Sequence, residues 1–234
     1  MVRTSSVLIM AGGLGMRLHP LTLDRPKPML EIGGIPILER LIEQLSCQGF
    51  RDITIAVNYR ADDIQDHFGD GRPWGVAIRY VIETEKLGTA GALSLMKDPG
   101  WPLLVVNGDL VTDLKFEKLV DYHSTLGADA TMAVHMHEQN IPYGVLIVDG
   151  YSLRITGLAE KPTFKYFINA GVYVLAPAVM NFLQSVPVDM TTVFGRLIKA
   201  KQNVIYYPTS AAWRDIGTLK DLALAQGAAP HGRL

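Results

Sequence analysis

Cysteine is almost absent from this chain. Cys47 is the only one in 234 residues, so neither a disulfide framework nor a thiolate metal cluster can form within it. That scarcity suits a reducing cytosol, and a cytoplasmic location is the expectation. A surplus of either charge is also missing: 22 Lys and Arg face 23 Asp and Glu, for a formal net charge of −1. Proteins that wrap a nucleic-acid polymer are usually basic, so no such partner is expected. Long apolar runs are lacking. Stretches such as Leu103 to Val106 fall far short of the roughly 20 residues of a membrane-spanning helix, and no membrane partner is expected. The opening MVRTSSVLIMAGG has one Arg and an apolar run that ends in glycines, which reads as a first core strand and not a signal peptide. No Pro/Gly/Ser-rich linker and no internal repeat interrupts the sequence. Residues 1–225 are therefore expected to form one domain, with 226–234 (QGAAPHGRL) a flexible tail.

Apolar residues are plentiful at 48%, against 19% charged, enough to build a sizeable core. Their spacing alternates between two periods. Strand-like runs fall at Val7 to Ala11, Ile53 to Val57, Val76 to Ile82 and Leu103 to Val106. Helical patterns fall at Ile37 to Leu45, Ala61 to Phe68, Ala90 to Met96 and Phe116 to Leu126. That βαβα order predicts an α/β fold with a mainly parallel sheet covered on both faces. The second half is richer in strands: Ala130 to His135, Gly144 to Val148, Leu153 to Leu158, Val172 to Val174 and Val204 to Tyr207. Helical patterns return at Ala178 to Leu183, Thr192 to Lys199 and Leu219 to Ala225.

The most informative segment is AGGLGMR, Ala11 to Arg17, directly after the first strand. Gly12, Gly13 and Gly15 let a backbone approach a ligand closely and present N–H groups to it. The run is neither a dinucleotide fingerprint, since Leu18 stands where the third glycine would be, nor a P-loop. Arg17 and then Lys27, between Pro26 and Pro28, supply a planar fork and a point charge suited to a polyphosphate. A plain glycine turn with surface cations has the same local pattern. Asn107, Gly108 and Asp109 (NGD) follow a strand, where a carboxylate can hold Mg²⁺ or simply close an Asx turn. Asp215, in WRDIGT, is a second carboxylate that could join it or merely sit at a helix N-terminus. Glu160 and Lys161 (EKP) precede Asn169 (NAG). They read as a second phosphate and sugar-hydroxyl site, with Tyr143 and Gly144 adding backbone contacts, or as a surface ion pair. His123, His135 and His137 lack a third partner at metal-ligand spacing, and Cys47 is expected to be a buried small residue.

Taken in order, AGGLGMR, RPKPML, LGTAGAL, NGD, EKP, NAGVYVL and WRDIGT closely resemble the sugar-1-phosphate nucleotidylyltransferases, also called NDP-sugar pyrophosphorylases. The resemblance runs from about Ser6 to Ala225. It implies a Rossmann-like, glycosyltransferase-A-like α/β/α sandwich and a reaction in which an NTP and a sugar 1-phosphate give an NDP-sugar and pyrophosphate. It also implies roles. Arg17 would hold the β- and γ-phosphates, Lys27 the α-phosphate, and Lys161 the sugar phosphate. Asp109 and Asp215 would hold Mg²⁺. Ala11, Gly12, Gly13, Gly15, Gly88 and Thr89 would line the nucleotide, and Tyr143, Gly144, Glu160 and Asn169 the sugar.

Relatives that use UTP or dTTP commonly carry a Gln about five residues before the glycine matching Gly88. Here that position is Glu83. A carboxylate only accepts, which matches the adjacent N1–H and N2–H donors of guanine and opposes the oxygens of uracil. GTP is therefore favoured, with UTP or dTTP as the alternative. The wording resembles bacterial sugar-phosphate guanylyltransferases with mannose-, glucosamine- or heptose-type acceptors. Met16 departs from the usual Thr and removes a hydroxyl near the triphosphate. Two other readings remain: a catalytically silent sensor of NDP-sugar, and transfer to a non-sugar phosphate. Homo-oligomer formation is left open by the sequence.

Overall fold

The computed structural model describes residues 6–184 and 187–227. The strands are β1 (Val7–Met10), β2 (Glu31–Ile32), β3 (Ile35–Pro36), β4 (Asp52–Val57), β5 (Ala77–Ile82), β6 (Leu103–Asn107), β7 (Leu110–Thr112), β8 (Ala130–Asn140), β9 (Gly144–Val148), β10 (Ile155–Glu160), β11 (Thr163–Leu175), β12 (Val204–Thr209) and β13 (Trp213–Asp215). The helices are α1 (Ile37–Cys47), α2 (Ala61–Phe68), α3 (Phe116–Thr125), α4 (Met190–Lys199) and α5 (Leu219–Gly227). Seven strands form the main sheet in the order β12-β8-β11-β6-β1-β4-β5. Six of them run the same way. β11 alone is antiparallel, to β6 on one side and β8 on the other. The chain leaves β1 for β4 on one side and returns through β6 to the other. The carboxyl ends of β1 and β6 thus flank a switch point, where open α/β sheets leave a crevice for ligands.

Strand periodicity splits the core into two layers. Val7, Ile9, Leu104, Val106, Val172 and Val174 face one way, against α1 and α3. Leu8, Leu103, Val105, Tyr173 and Leu175 face the other, against Val193, Phe194 and Leu197 of α4. Central strands buried on both faces give the continuous apolar runs seen in the sequence. α1 buries Ile37, Leu38, Leu41, Ile42 and Leu45, the face its spacing predicts. A third, smaller cluster joins Leu18, Leu30, Ile37 and Ile216 to Leu222 and Ala225 of α5. Its members sit immediately beside Arg17 and Asp215, so this apolar knot fixes the loops that carry those charges.

Several expectations are corrected. Ala90 to Met96 and Ala178 to Leu183 form short 3₁₀ segments, Gly91–Leu95 and Pro177–Phe182, instead of α-helices. Ser94 Oγ bonds back to the Gly91 carbonyl at 2.7 Å, an alternative partner that competes with helix propagation. The short run at Val172 to Val174 is the inner end of a 13-residue strand. Its outer half is exposed and held by pairing with β8. Cys47 is exposed, because it lies two residues past Leu45 and off the apolar face of α1. Gln226 and Gly227 belong to α5 rather than to a tail, and 228–234 lie outside the described residues.

Candidate active site

A cavity of about 570 Å³ opens at the carboxyl ends of β1 and β6. Its lining includes Ala11, Gly12, Gly13, Gly15, Arg17, Lys27, Glu83, Gly88, Thr89 and Asp109. The strand ladders continue into the surrounding loops. Ala11 N–H bonds the Ala56 carbonyl at 2.8 Å, Gly108 N–H the Met10 carbonyl at 2.8 Å, and Glu83 N–H the Val57 carbonyl at 2.8 Å. Each loop thus leaves the sheet in a fixed direction. The glycine of NGD is needed for this approach, since a Cβ on Gly108 would lie 2.9 Å from the Met10 carbonyl oxygen. Gly13 has open space where a side chain would be, so its backbone is free to meet a ligand. Gly15 has φ +62° and is clamped by Thr22 Oγ1, which donates to its carbonyl at 2.9 Å.

Lys27 starts a 3₁₀ turn, Lys27–Met29, entered through Pro26 and closed by the Leu30 N–H. Its side chain is 9% exposed. The ammonium contacts Asp109 Oδ2 and lies 3.6 Å from Asp215 Oδ1. Asp215 arrives on β13, paired with β7, while Ile216 N–H bonds the Asp109 carbonyl at 3.1 Å. The two aspartates are thereby tied together. A Cβ placed on Gly217 would lie 3.4 Å from Arg17 Nη1 and 3.5 Å from Asp215 Oδ2, so Arg17 shares the same corner. Burial pushes the Asp215 carboxyl above its usual range, reinforced by Asp109 and opposed by Lys27 and Arg17. Among the described residues, Asp109 Oδ1 and Asp215 Oδ1 are buried with no hydrogen-bond partner. Among the described residues, no group of three or more His, Cys, Asp or Glu could hold a metal by itself. Two neighbouring carboxylates, each with a buried oxygen that makes no hydrogen bond, fit a hard cation such as Mg²⁺, whose other ligands are phosphate oxygens and water.

Glu83 is 8% exposed and faces the cavity beside Gly12. Desolvation raises its pKa, and a hydrogen bond from the Leu87 N–H works against that shift. Asn58 supports it from behind, donating to the Glu83 carbonyl at 2.6 Å. Asn58 also lines the cavity, as do Lys86, Asn107 and Asp189, none of which sequence reasoning selected as a site residue. An Asp directly before a helical pattern was the available signal for Asp189, but it reads as an ordinary N-cap.

The other predicted set does not line the cavity. Tyr143, Gly144, Glu160 and Lys161 sit at the base of the β9–β10 hairpin, all exposed. Gly144 pairs with Glu160, and a Cβ there would meet Glu160 Oε2 at 3.2 Å. Lys161 has φ +46°, which is strained for a residue with a side chain. The Asn169 amide donates to Tyr173 Oη at 2.7 Å, and its oxygen accepts from Gly171 N–H at 2.9 Å. These bonds hold the irregularity where β11 shifts register against β8.

A glycine-lined crevice at a switch point of an α/β sheet, with cations and a carboxylate pair at its edge, is chemically suited to phosphate groups. The chain matches the nucleotidyl transferase family over residues 6–230 and belongs to that family. It is 34% identical over 221 residues to mannose-1-phosphate guanyltransferase of Yarrowia lipolytica, covering 92% of this chain and 61% of that one. The Saccharomyces cerevisiae enzyme of the same name is 36% identical over 225 residues, covering 92% and 62%. The chain thus spans about three-fifths of the length of these curated relatives. Among solved structures, HddC from Yersinia pseudotuberculosis complexed with GMP-PN is similar at 29% identity, TM-score 0.72, covering 95% of this chain and 98% of that one. A putative glucose-1-phosphate thymidylyltransferase from Bacillus anthracis shares the fold at 22% identity, TM-score 0.77, covering 98% of both. No helix among the described residues is long and apolar enough to cross a membrane.

Proposed function

We propose that this chain joins an NTP, with GTP preferred, to a sugar 1-phosphate, releasing pyrophosphate and forming an NDP-sugar. Residues 1–225 act as one catalytic unit, in the cytoplasm, on a mannose-, glucosamine- or heptose-type acceptor. The observation that carries this reading is the convergence of Arg17, Lys27 and Asp109 on one cavity with buried Glu83, and of Asp215 on Lys27. The guanyltransferase names of the relatives, and the GMP-PN named in the Yersinia complex, support guanine over the other bases.

The chemistry follows from charge. An oxygen of the sugar phosphate attacks the α-phosphorus in line. One P–O bond forms, the α–β bridging P–O bond breaks, and its electron pair leaves with pyrophosphate. The attacking oxygen is already anionic, so no protein nucleophile is needed. The obstacle is bringing two anions together: unit charges about 4 Å apart repel by roughly 4 kcal/mol at an effective dielectric of 20. Lys27, pre-placed in its buried turn, neutralises the α-phosphate. Arg17 takes the departing phosphates, and Lys161 grips the acceptor's phosphate. Asp109 and Asp215 would hold Mg²⁺, which would supply charge stabilisation to the phosphate oxygens. Glu83 accepts from the guanine edge. Loss of one of these charged groups would have pointed to a silent sensor, and all are present.

The test is pyrophosphate release with Mg²⁺, crossing GTP, UTP, dTTP, CTP and ATP with mannose-, glucosamine-, glucose- and N-acetylglucosamine-type 1-phosphates, together with a heptose 1-phosphate. Turnover with GTP supports Glu83 as base reader; turnover with UTP or dTTP keeps the reaction and discards that role. Asp109→Asn is expected to cut Mg²⁺-dependent turnover about a thousandfold with an unchanged far-UV spectrum. A fully active variant would remove Asp109 from the metal site.

A further inference from the structure

We infer that Asp189 is a positioning residue for nucleobase selection: it clasps the loop that orients Glu83, from a point about a hundred residues away in sequence. The inference rests on the reading of Glu83 as the base-recognising group.

Asp189 stands at the N-cap of α4, yet its side chain caps nothing in its own helix. Its Oδ1 instead accepts from Thr89 N–H at 3.0 Å and from Thr89 Oγ1 at 3.3 Å. Thr89 returns the favour, its hydroxyl accepting from the Met190 N–H at 2.9 Å. The backbones on either side also pair. Val188 N–H bonds the Leu87 carbonyl at 2.7 Å, and Ala90 N–H the Val188 carbonyl at 3.0 Å. Between them Gly88 has φ +81°, and a Cβ there would lie 2.5 Å from the Val188 carbonyl oxygen. The two segments therefore interlock through backbone and side chain alike. The next link is Leu87, whose N–H bonds the Glu83 carboxylate. The clasp thus sets the loop that holds the buried carboxylate in the cavity. It also fastens that loop to Val188 and Met190, which are buried in the layer around α4. The consequence is that the setting of the loop that carries Glu83 depends on the contact between Asp189 and Thr89.

The test compares kcat and KM for Asp189→Ala, Asp189→Asn and Thr89→Val, with GTP and UTP at saturating sugar phosphate. Asp189→Ala is expected to raise the KM for GTP about tenfold, to change kcat by less than about threefold, and to narrow the GTP-over-UTP preference. Asp189→Asn keeps an oxygen acceptor for Thr89 and is expected to restore KM to within about threefold of wild type. Thr89→Val loses only the hydroxyl and should fall between. A folded Asp189→Ala with unaltered KM and preference overturns the inference. So does an Asp189→Asn as impaired as Asp189→Ala, because the charge would then be acting on substrate directly. If Asp189→Ala does not fold, Thr89→Val decides by the same measures. Wild-type protein that prefers another base sinks the role of Glu83. The same variants measured with that nucleotide, by turnover or by calorimetric binding, then still decide whether the clasp holds.

Discussion

Glu83 and Lys27, in the proposed nucleotide cavity, each keep 8% of their surface exposed, while Tyr143 on the proposed sugar side keeps 74%. The contrast extends to their surroundings. The nucleotide loops are continuations of sheet ladders, pinned by Thr22, Asn58 and the Thr89–Asp189 pair. The β9–β10 hairpin shows Leu146, Val148, Ile155 and Leu158 largely exposed, and Glu160 and Lys161 hang from its base. One side is built before any ligand arrives, and the other is open. Preorganised charge costs little to use at the moment of reaction, but it must be held against desolvation by the fold. The nucleotide side should therefore carry stability and function together, and the hairpin base function alone.

Gly88→Ala offers the largest break in that contrast. The added Cβ would collide with the Val188 carbonyl in a left-handed backbone. A loss of about 3 kcal/mol in chemical denaturation is expected, together with weakened NTP binding. A variant with wild-type stability would show that this loop is not rigid. Lys161→Ala should do the opposite, raising the KM for sugar phosphate at least about tenfold while the melting temperature stays within about 1 °C, because the side chain is exposed. Were it to weaken NTP binding alone, the two phosphate sites would have to be exchanged. The smallest effect belongs to Glu83→Gln. The Glu83 pKa is raised on folding, so its contribution to stability is present below the usual glutamate range and is lost as pH climbs through the raised value. Replacing the carboxyl removes that loss. The variant should match wild type near about pH 4 and melt about 2 °C higher near about pH 8, while discriminating poorly between GTP and UTP. A melting difference that does not grow with pH would mean that the carboxylate is not desolvated.

Much of this architecture was legible in the residues. The face of α1, the strands β1, β4 and β6, and the stop of α2 at Gly69 all follow from local spacing and turn chemistry. Elements that depend on a distant partner were harder. β7 and β13 are three residues each and exist because they pair with one another. The outer half of β11 has no buried alternation and is a strand only against β8. Asn169 reads as a sugar ligand by motif, whereas its bonds to Tyr173 and Gly171 belong to the irregularity of β11 against β8. In the site, the residue types of Arg17, Lys27, Asp109 and Asp215 announced phosphate and metal chemistry. Asp189 did not, because its partner is a threonine 100 residues away in the chain.

The sequence alone determined what is local: the two periods that build strands and helices, the glycines that leave a backbone open after β1, and the balance of cations and carboxylates suited to phosphate transfer. Tertiary structure decided which of those groups meet. Lys27 and Asp109 are 82 residues apart, and Thr89 and Asp189 are 100 apart. Propensity and periodicity act over a few residues, whereas these meetings depend on strand order and on how the connecting loops close, which no local pattern encodes.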